Sequence, residues 1–546
     1  MGATLSQFKN RPDPFVVPPN GRNTMYPPKR PTEEPAETSI RTMVIGSIVV
    51  AVLCAAALMA TSPMLPMAWD EGNSILRAEQ IPDRWQYTTA SEGHPAFYGM
   101  VIAAGDRVGS YFLSPLDSAR LGPIVLFAVA AGAMFFRMWK EFSLVGAVGA
   151  VAALMLMPRM FAHAHFASFD GPLVSCWILT WALFMLPAST PKRRWIVQVL
   201  WGIALGMTLS CKATGWIAPV PFICWALIYR NRYAIGTVLL GLPVALLTFV
   251  GLNPPIWDAP LAGMQTFFNL NLGRADQEGL NISTYFLGRM YNLDHSLPWY
   301  NTLLWTGISV PLGILLLSLV GLCTSIKRFR ADGYGMLLVL NWAVLMVVRA
   351  LPGVPPHDGI RLFLPCFAFL AALAGVGCAV VFARAEELWQ KALTLAVIGL
   401  LLVTGAGSVW YYAPNWLSYY NLAIGGLPGA TKMGMEPTYY WDALDGDVLD
   451  WLHENTAEDE KVKFGSSSPE NLELMRRWGT LNRETADRAP GNFRWYVIQH
   501  RPSGLFPADH WLIKNVEPKY RTSLLDVPLV EVYDYADYQK SLRETK

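Results

Sequence analysis

The chain has 546 residues, of which 53% are hydrophobic, 12% aromatic and only 15% charged. A soluble globular protein carries about 25% charged residues, so this composition excludes an ordinary soluble enzyme and points to a membrane protein. The net charge of +2 gives no basis for a nucleic-acid partner, and the seven cysteines sit in or beside apolar runs without CxxC spacing, as packing residues do rather than disulfide or zinc ligands.

Residues 1–41 are proline-rich and carry Lys9, Arg11, Arg22, Lys29, Arg30 and Arg41. Such a segment buries no core, so it is predicted to be a disordered cytoplasmic tail. The apolar run 42–60 then forms a first membrane span with its basic side inside. A hydrocarbon core about 30 Å thick takes roughly 20 apolar residues per helix. Further candidate spans are 120–139, 142–157, 171–190, 195–211, 213–229, 233–251, 302–323, 335–349, 361–383 and 391–411. Short basic loops at Arg137–Lys140, Lys192–Arg194, Arg230–Arg232, Lys327–Arg330 and Arg384–Lys391 alternate with longer loops rich in His, Asp, Pro and aromatic residues. Lys/Arg excess marks the cytoplasmic side. The alternation closes if residues 95–111 lie on the outer surface without crossing. The prediction is about eleven transmembrane helices, the N-terminus inside and the C-terminus outside.

The first outer loop, 66–98, opens with Trp69-Asp70-Glu71-Gly72 and closes with Glu92-Gly93-His94-Pro95-Ala96-Phe97-Tyr98. Ile75, Leu76, Ile81 and Trp85 suit short helices at a membrane surface. A carboxylate just outside the first span is placed to act as a general base towards a lipid-borne substrate; the plain alternative is a helix cap on a solvated loop. The second outer loop reads MPRMFAHAHFASFD over 157–170 and holds Arg159, His163, His165 and Asp170. Asp170 precedes Gly171-Pro172, so helix capping is a rival role for it. Residues 253–300 form a long outer loop ending in Trp299-Tyr300, and 351–361 reads LPGVPPHDGIR. There Asp358 suits a helix cap, and Arg159 and Arg361 equally suit interfacial anchoring. Beyond the last span, 412–546 reads as a small soluble α/β domain, with helix-like stretches over 442–453 and 470–478 and strand-like ones over 494–498 and 528–533.

These features together resemble the membrane glycosyltransferases of the GT-C fold, in particular the dolichyl-phosphate-mannose:protein mannosyltransferases and the related aminoarabinose transferases. The resemblance rests on the acidic pair Asp70-Glu71, on His94-Pro95-Ala96 closing the first loop, on Asp170 at the start of a span, and on Arg361-Leu362-Phe363-Leu364-Pro365 entering a late one. It covers 42–411; Ala96 stands where that family carries a second proline. It implies a GT-C-like transmembrane domain over 42–411, an extracytoplasmic α/β domain over 412–546, and transfer of a sugar from a polyprenyl phosphate to an acceptor hydroxyl outside the membrane, with inversion.

For that chemistry, a base must take the acceptor proton and positive charge must meet the departing phosphate. Asp70 is the expected base. His94, Arg159 and Arg361 are the expected phosphate holders, with Glu71 and His165 also on the substrate side. Asp170 is expected to orient hydroxyls or to share a divalent metal with Asp70, although no metal is expected to be obligatory. The implied partners are the lipid-linked sugar donor, a protein, glycolipid or polysaccharide acceptor, and the bilayer, in a bacterial cytoplasmic membrane. The rival reading is a transporter or flippase for lipid-linked sugars. Transporters place ionisable residues at mid-membrane and often repeat their halves, and neither pattern is present in this chain. A membrane scaffold that displays its C-terminal domain is a third class, and it would not require carboxylates on several outer loops.

Overall fold

The computed structural model describes residues 39–84, 94–187, 190–273, 281–485 and 493–545. The tail 1–38 and the residues Trp85, Glu92 and Gly93 of the first loop lie outside the described residues.

Long apolar helices dominate the chain as far as Tyr411. Among the described residues, five are long and apolar enough to cross a membrane: Ile40–Met64, Pro115–Glu141, Arg232–Gly251, Pro365–Phe382 and Leu388–Tyr411. Helices also occupy the other predicted runs, but several are short or broken. The run 142–157 carries the 12-residue helix Leu144–Met155, and 171–190 carries the 14-residue helix Asp170–Leu183. The run 302–323 is not one helix: it divides at Val310-Pro311 into Asn301–Ser309 and Leu312–Lys327, because proline cannot donate the backbone bond that would continue the first piece. Phe97–Gly109 has 13 residues, about 20 Å at 1.5 Å per residue, too short to span.

Pro365–Phe382 is the central helix, and its residues up to Cys378 are buried. Its sequence AALAGVGCA supplies small side chains, which let apolar helices approach closely where lipid gives no hydrophobic drive. The approach is backbone to backbone at Gly321, where an added Cβ would meet the Leu373 carbonyl oxygen at 1.8 Å. Ile40–Thr61 and Leu388–Tyr411 lie at the periphery with most of their residues exposed, as suits helices clothed by lipid.

At the end of the bundle that carries the first loop, Glu71–Arg84 packs beside Phe97–Gly109. A two-stranded antiparallel hairpin, β1 (Thr284–Phe286) and β2 (Arg289–Tyr291), lies in the third outer loop. After Tyr411 the chain runs through short 3-10 turns to Trp441 and then forms a five-stranded sheet. Its strands are β3 (Lys461–Phe464), β4 (Glu484–Thr485), β5 (Trp495–Gln499), β6 (Tyr520–Leu524) and β7 (Val527–Asp534), in the order β4-β3-β5-β7-β6. β3 is parallel to β4 and β5, and β7 is antiparallel to β5 and β6. Gly446–Glu454 and Pro469–Arg477 pack with the sheet, capped at their N-termini by the Asp445 and Ser468 side chains.

This C-terminal unit is not tethered loosely. Ile75, Ala78, Ile81, Tyr98 and Phe169 of the outer loops share one hydrophobic cluster with Val448, Leu452, Val462, Leu474 and Trp495. Gly72 N–H donates to Asn471 Oδ1 at 2.8 Å, and Asn471 Nδ2 returns a bond to the Ala68 carbonyl at 2.9 Å. Trp69 N–H donates to the Tyr440 carbonyl at 3.1 Å. The first loop and the last part of the chain therefore fold as one packed body.

Candidate active site

The first loop is held from below by one ion pair. Glu71 opens its helix and is fully buried, as is Arg120. Arg120 Nη2 and Nε donate to the two Glu71 oxygens at 2.7 and 2.9 Å, and Nη1 and Nη2 also reach the carbonyls of Ser62, Leu65 and Pro66. Glu71 further accepts from the backbone N–H groups of Ala68 and Ala167. Its oxygens are thus committed, and its expected substrate-side role is corrected to a structural one. The pair ties the first loop to Pro115–Glu141 and to the second loop, and it leaves the preceding residue, Asp70, to join a different cluster.

That cluster centres on Arg361. The residue follows a tight turn in which Asp358 has φ +60° and Gly359 φ +56°, a left-handed conformation that Asp tolerates and Gly adopts freely. The turn folds the Asp358 carboxylate back onto Arg361 Nη1. Arg361 Nη2 meets Asp70 Oδ2 at 2.6 Å, and Nε meets Asp170 Oδ2 at 2.9 Å. One guanidinium therefore bridges three carboxylates from three loops. The other oxygen of Asp170 receives Lys212 Nζ at 2.7 Å, and the other oxygen of Asp358 receives Arg501 Nη1 at 3.0 Å. Tyr440 donates its hydroxyl to Asp70 Oδ2 at 2.9 Å, and its ring lies 4.4 Å from the Arg361 guanidinium carbon. Burial keeps the Tyr440 hydroxyl well above its ordinary pKa despite the opposing pull of Arg361, so it remains a donor at neutral pH.

The three carboxylates differ in access. The Asp70 side chain is 23% exposed, against 1% for Asp170 and 5% for Asp358. Asp170, expected to orient hydroxyls, gives one oxygen to Lys212 and the other to Arg361 and so holds the two cations. Arg361 bonds both Asp70 and Asp170. Among the described residues, no three His, Cys, Asp or Glu side chains form a metal-binding group. Arg361, expected as a phosphate holder, bonds three aspartates here.

Arg501 comes from the C-terminal unit and is fully buried. It bonds Asp358 and the Tyr439 carbonyl, lies 3.6 Å from Glu436, and stacks over the Trp441 ring at 3.7 Å. Burial pushes Asp358 up, but Arg361, His357 and Arg501 outweigh it and hold the carboxyl down at about 2.

The remaining expected residues fall around this centre. His94 is buried and stacked on Phe169, with ring centroids 4.6 Å apart, and Phe169 also underlies Lys212 at 4.5 Å and Arg361 at 5.4 Å. Arg159 is buried within a cage of Trp305, Tyr420 and Tyr439; its Nε donates to the Tyr419 carbonyl, while Nη1 and Nη2 have no hydrogen-bond partner. His163 lies 3.3 Å from the Tyr439 hydroxyl, and burial lowers its imidazole to about 3, so it is neutral at pH 7. His165 does not face the substrate side as expected: its ring nitrogens meet the Phe161 carbonyl and the Thr61 hydroxyl, and it stacks against Trp416. It packs the loop against the first helix.

Lys212, Tyr440 and Arg501 were not among the expected site residues. Lys212 had a legible signal, since it is a lone lysine between two apolar runs on the side opposite the basic loops. Tyr440 and Arg501 had none, because only the docking of the C-terminal unit brings them to the first loop.

The helical bundle has a GT-C-type fold, in line with the resemblance read in the sequence. The family model described as dolichyl-phosphate-mannose-protein mannosyltransferase matches residues 94–257. The structure is similar to ArnT from Cupriavidus metallidurans bound to undecaprenyl phosphate, with a TM-score of 0.51 and 13% identity over 90% of this chain and 99% of that one. A weaker similarity is to the Archaeoglobus fulgidus oligosaccharyltransferase in complex with Zn and sulfate, with a TM-score of 0.48 and 13% identity over 84% of this chain and 68% of that one. The Saccharomyces cerevisiae protein O-mannosyltransferase Pmt1-Pmt2 complex bound to the sugar donor has a TM-score of 0.30 and 16% identity over 46% and 36%. No curated protein matches the sequence.

Proposed function

We propose that this protein is a glycosyltransferase that moves a sugar from a polyprenyl-phosphate donor to an acceptor hydroxyl on the extracytoplasmic face, with inversion and with Asp70 as the base. The observation that carries this reading is the unequal exposure of three carboxylates on one guanidinium. Asp70 alone of the three keeps an accessible edge, while Asp170 and Asp358 are sealed around the cations that hold it.

In the transfer, the acceptor oxygen bonds to the anomeric carbon as the bond from that carbon to phosphate breaks, and the electron pair leaves with the phosphate oxygen. The acceptor proton passes to Asp70. Proton transfer to Asp70 comes late, because the hydroxyl becomes strongly acidic only as its oxygen bonds to carbon. Tyr440 and Arg361 aim the carboxylate, and the buried cations beside it favour the developing phosphate charge. Arg361 is taken as the resident cation of the site, without an obligatory metal.

The eleven apolar runs are read as eleven crossings of a bacterial cytoplasmic membrane, with the basic loops and the N-terminus inside and 412–546 outside, as a GT-C-like domain followed by an extracytoplasmic α/β domain. The acceptor is a protein, a glycolipid or a polysaccharide. The test is turnover by purified protein in detergent, using polyprenyl phosphate that carries a labelled sugar. Label entering an acceptor, with free polyprenyl phosphate as the second product, is the expected result. Intact donor moved across proteoliposomes without cleavage would replace this reading with transport.

A further inference from the structure

Each Arg361 nitrogen already meets a carboxylate, so a buried cation without such partners is better placed to receive a donor phosphate. Arg349 ends the helix Gly333–Arg349, is 3% exposed, and has no hydrogen-bond partner on Nε, Nη1 or Nη2. A buried charge that makes no hydrogen bond is unfavourable, and the guanidinium fork matches phosphate oxygens in pairs.

Two further observations point to a ligand there. Arg349 forms part of the wall of a cavity of about 220 Å³ whose lining is mostly apolar, including Leu293, Leu345, Val348 and Leu362. The hydroxyl of Thr214, in the same wall, is also buried without a partner. The cavity's wall residues Ala213 and Leu362 are the chain neighbours of Lys212 and Arg361. Leu272, also in the wall, is 81% exposed, an apolar edge that an acyl chain can cover.

We propose that Arg349 and Thr214 hold the phosphate of the polyprenyl donor and that its first isoprene units lie along the cavity's apolar wall. The proposal rests on the donor reading above and adds to it the site of the phosphate, at Arg349 rather than Arg361. The sugar then projects towards Asp70, and the lipid tail leaves by the exposed edge.

The test is binding, so it needs neither the sugar nor the acceptor. Undecaprenyl phosphate is titrated into the detergent-purified full chain by native mass spectrometry, with undecaprenol, phosphatidylglycerol and inorganic phosphate as separate probes. Wild type is expected to prefer undecaprenyl phosphate to undecaprenol, with Arg349→Gln weakening it by about tenfold or more and Arg349→Lys falling between. Val354→Trp fills the cavity from its loop side without touching a charge and is also expected to weaken binding; it serves as the variant if Arg349→Gln does not fold. Wild-type affinity in folded Arg349→Gln, or in folded Val354→Trp, overturns this site and leaves the proposed transfer standing. Equal competition by phosphatidylglycerol or inorganic phosphate overturns its assignment to the donor. Failure of wild type to bind undecaprenyl phosphate, with transfer also absent, overturns the donor reading itself.

Discussion

Arg501 and Asp358 are 143 residues apart in the chain and meet at 3.0 Å, with Arg501 fully buried and Asp358 nearly so. The contact joins the C-terminal unit to the turn that aims Arg361. Removing one partner of a buried ion pair costs about 3–5 kcal/mol, so Arg501→Gln should lower the unfolding temperature of the detergent-solubilised protein markedly. The double variant Arg501→Gln/Asp358→Asn should lose less than the sum of the single losses, because the unpaired carboxylate has gone. Strictly additive losses would mean that the contact does not couple the two parts.

Asp70→Asn keeps the size of the side chain and an oxygen that accepts from Arg361 and Tyr440. Folding should survive, while turnover falls by about a hundredfold or more for the loss of a general base. Donor affinity should change far less, since the group acts mainly in the transition state. Asp170→Asn makes the comparison: it leaves Lys212 and Arg361 short of a negative charge in a buried place, so stability and rate should fall together. Transfer near the wild-type rate by folded Asp70→Asn would remove it as the base.

The apolar runs, the alternating loops and the grouping of Asp70, Asp170 and Arg361 were legible in the sequence, because each follows from local hydropathy or from order along the chain. Helices Gly446–Glu454 and Pro469–Arg477 and strands β5 and β7 also fall on stretches whose patterns point to them. What could not be read is which way a side chain turns. Asp70 and Glu71 are adjacent, yet one faces Arg361 and the other Arg120. His163 and His165 are two apart, yet one reaches Tyr439 and the other Thr61. Asp358 read as a cap, and it instead bridges Arg361, three residues on, to Arg501, 143 residues on; no local pattern encodes the second contact.

The Glu71–Arg120 pair offers a control for the site residues. Arg120→Met should unfold the first loop at a cost of about 3–5 kcal/mol, and Glu71→Gln should cost less because it keeps shape and acceptor capacity. Both should lose activity in proportion to folded protein, measured by thermal unfolding alongside transfer. A well-folded Glu71→Gln with turnover as low as that of Asp70→Asn would return Glu71 to the chemistry.

Two buried carboxylates should give opposite pH responses. Burial pushes Asp442 up to about 6, above the value near 4 of an exposed Asp. Between about pH 4 and pH 6 the folded state keeps a proton that the unfolded chain releases, so stability falls as the pH rises through that window. Asp442→Asn should therefore gain unfolding temperature relative to wild type from pH 4 to pH 7. Asp358, held down at about 2, contributes stability above about pH 4 that is lost as the pH falls towards 2. The deficit of Asp358→Asn should be largest at neutral pH and shrink below pH 4. Parallel pH profiles for wild type and both variants would contradict these assignments.

The contacts between the first loop and the C-terminal unit also set a timetable for biogenesis. Gly72 waits for Asn471, 399 residues later, and Asp70 for Tyr440, 370 residues later. At about 5–20 residues per second of synthesis, roughly 20–80 s pass between the emergence of the two sides. Through that interval Glu71 can already pair with Arg120, which is 49 residues away, while Asp70 has only a partial complement of neighbours. A ribosome that stalls late, or a chain cut short before Arg501, would leave a membrane-inserted protein with its first loop anchored and its reactive carboxylate unaimed. On the proposed function, a nascent chain transfers no sugar until its last hundred residues have docked.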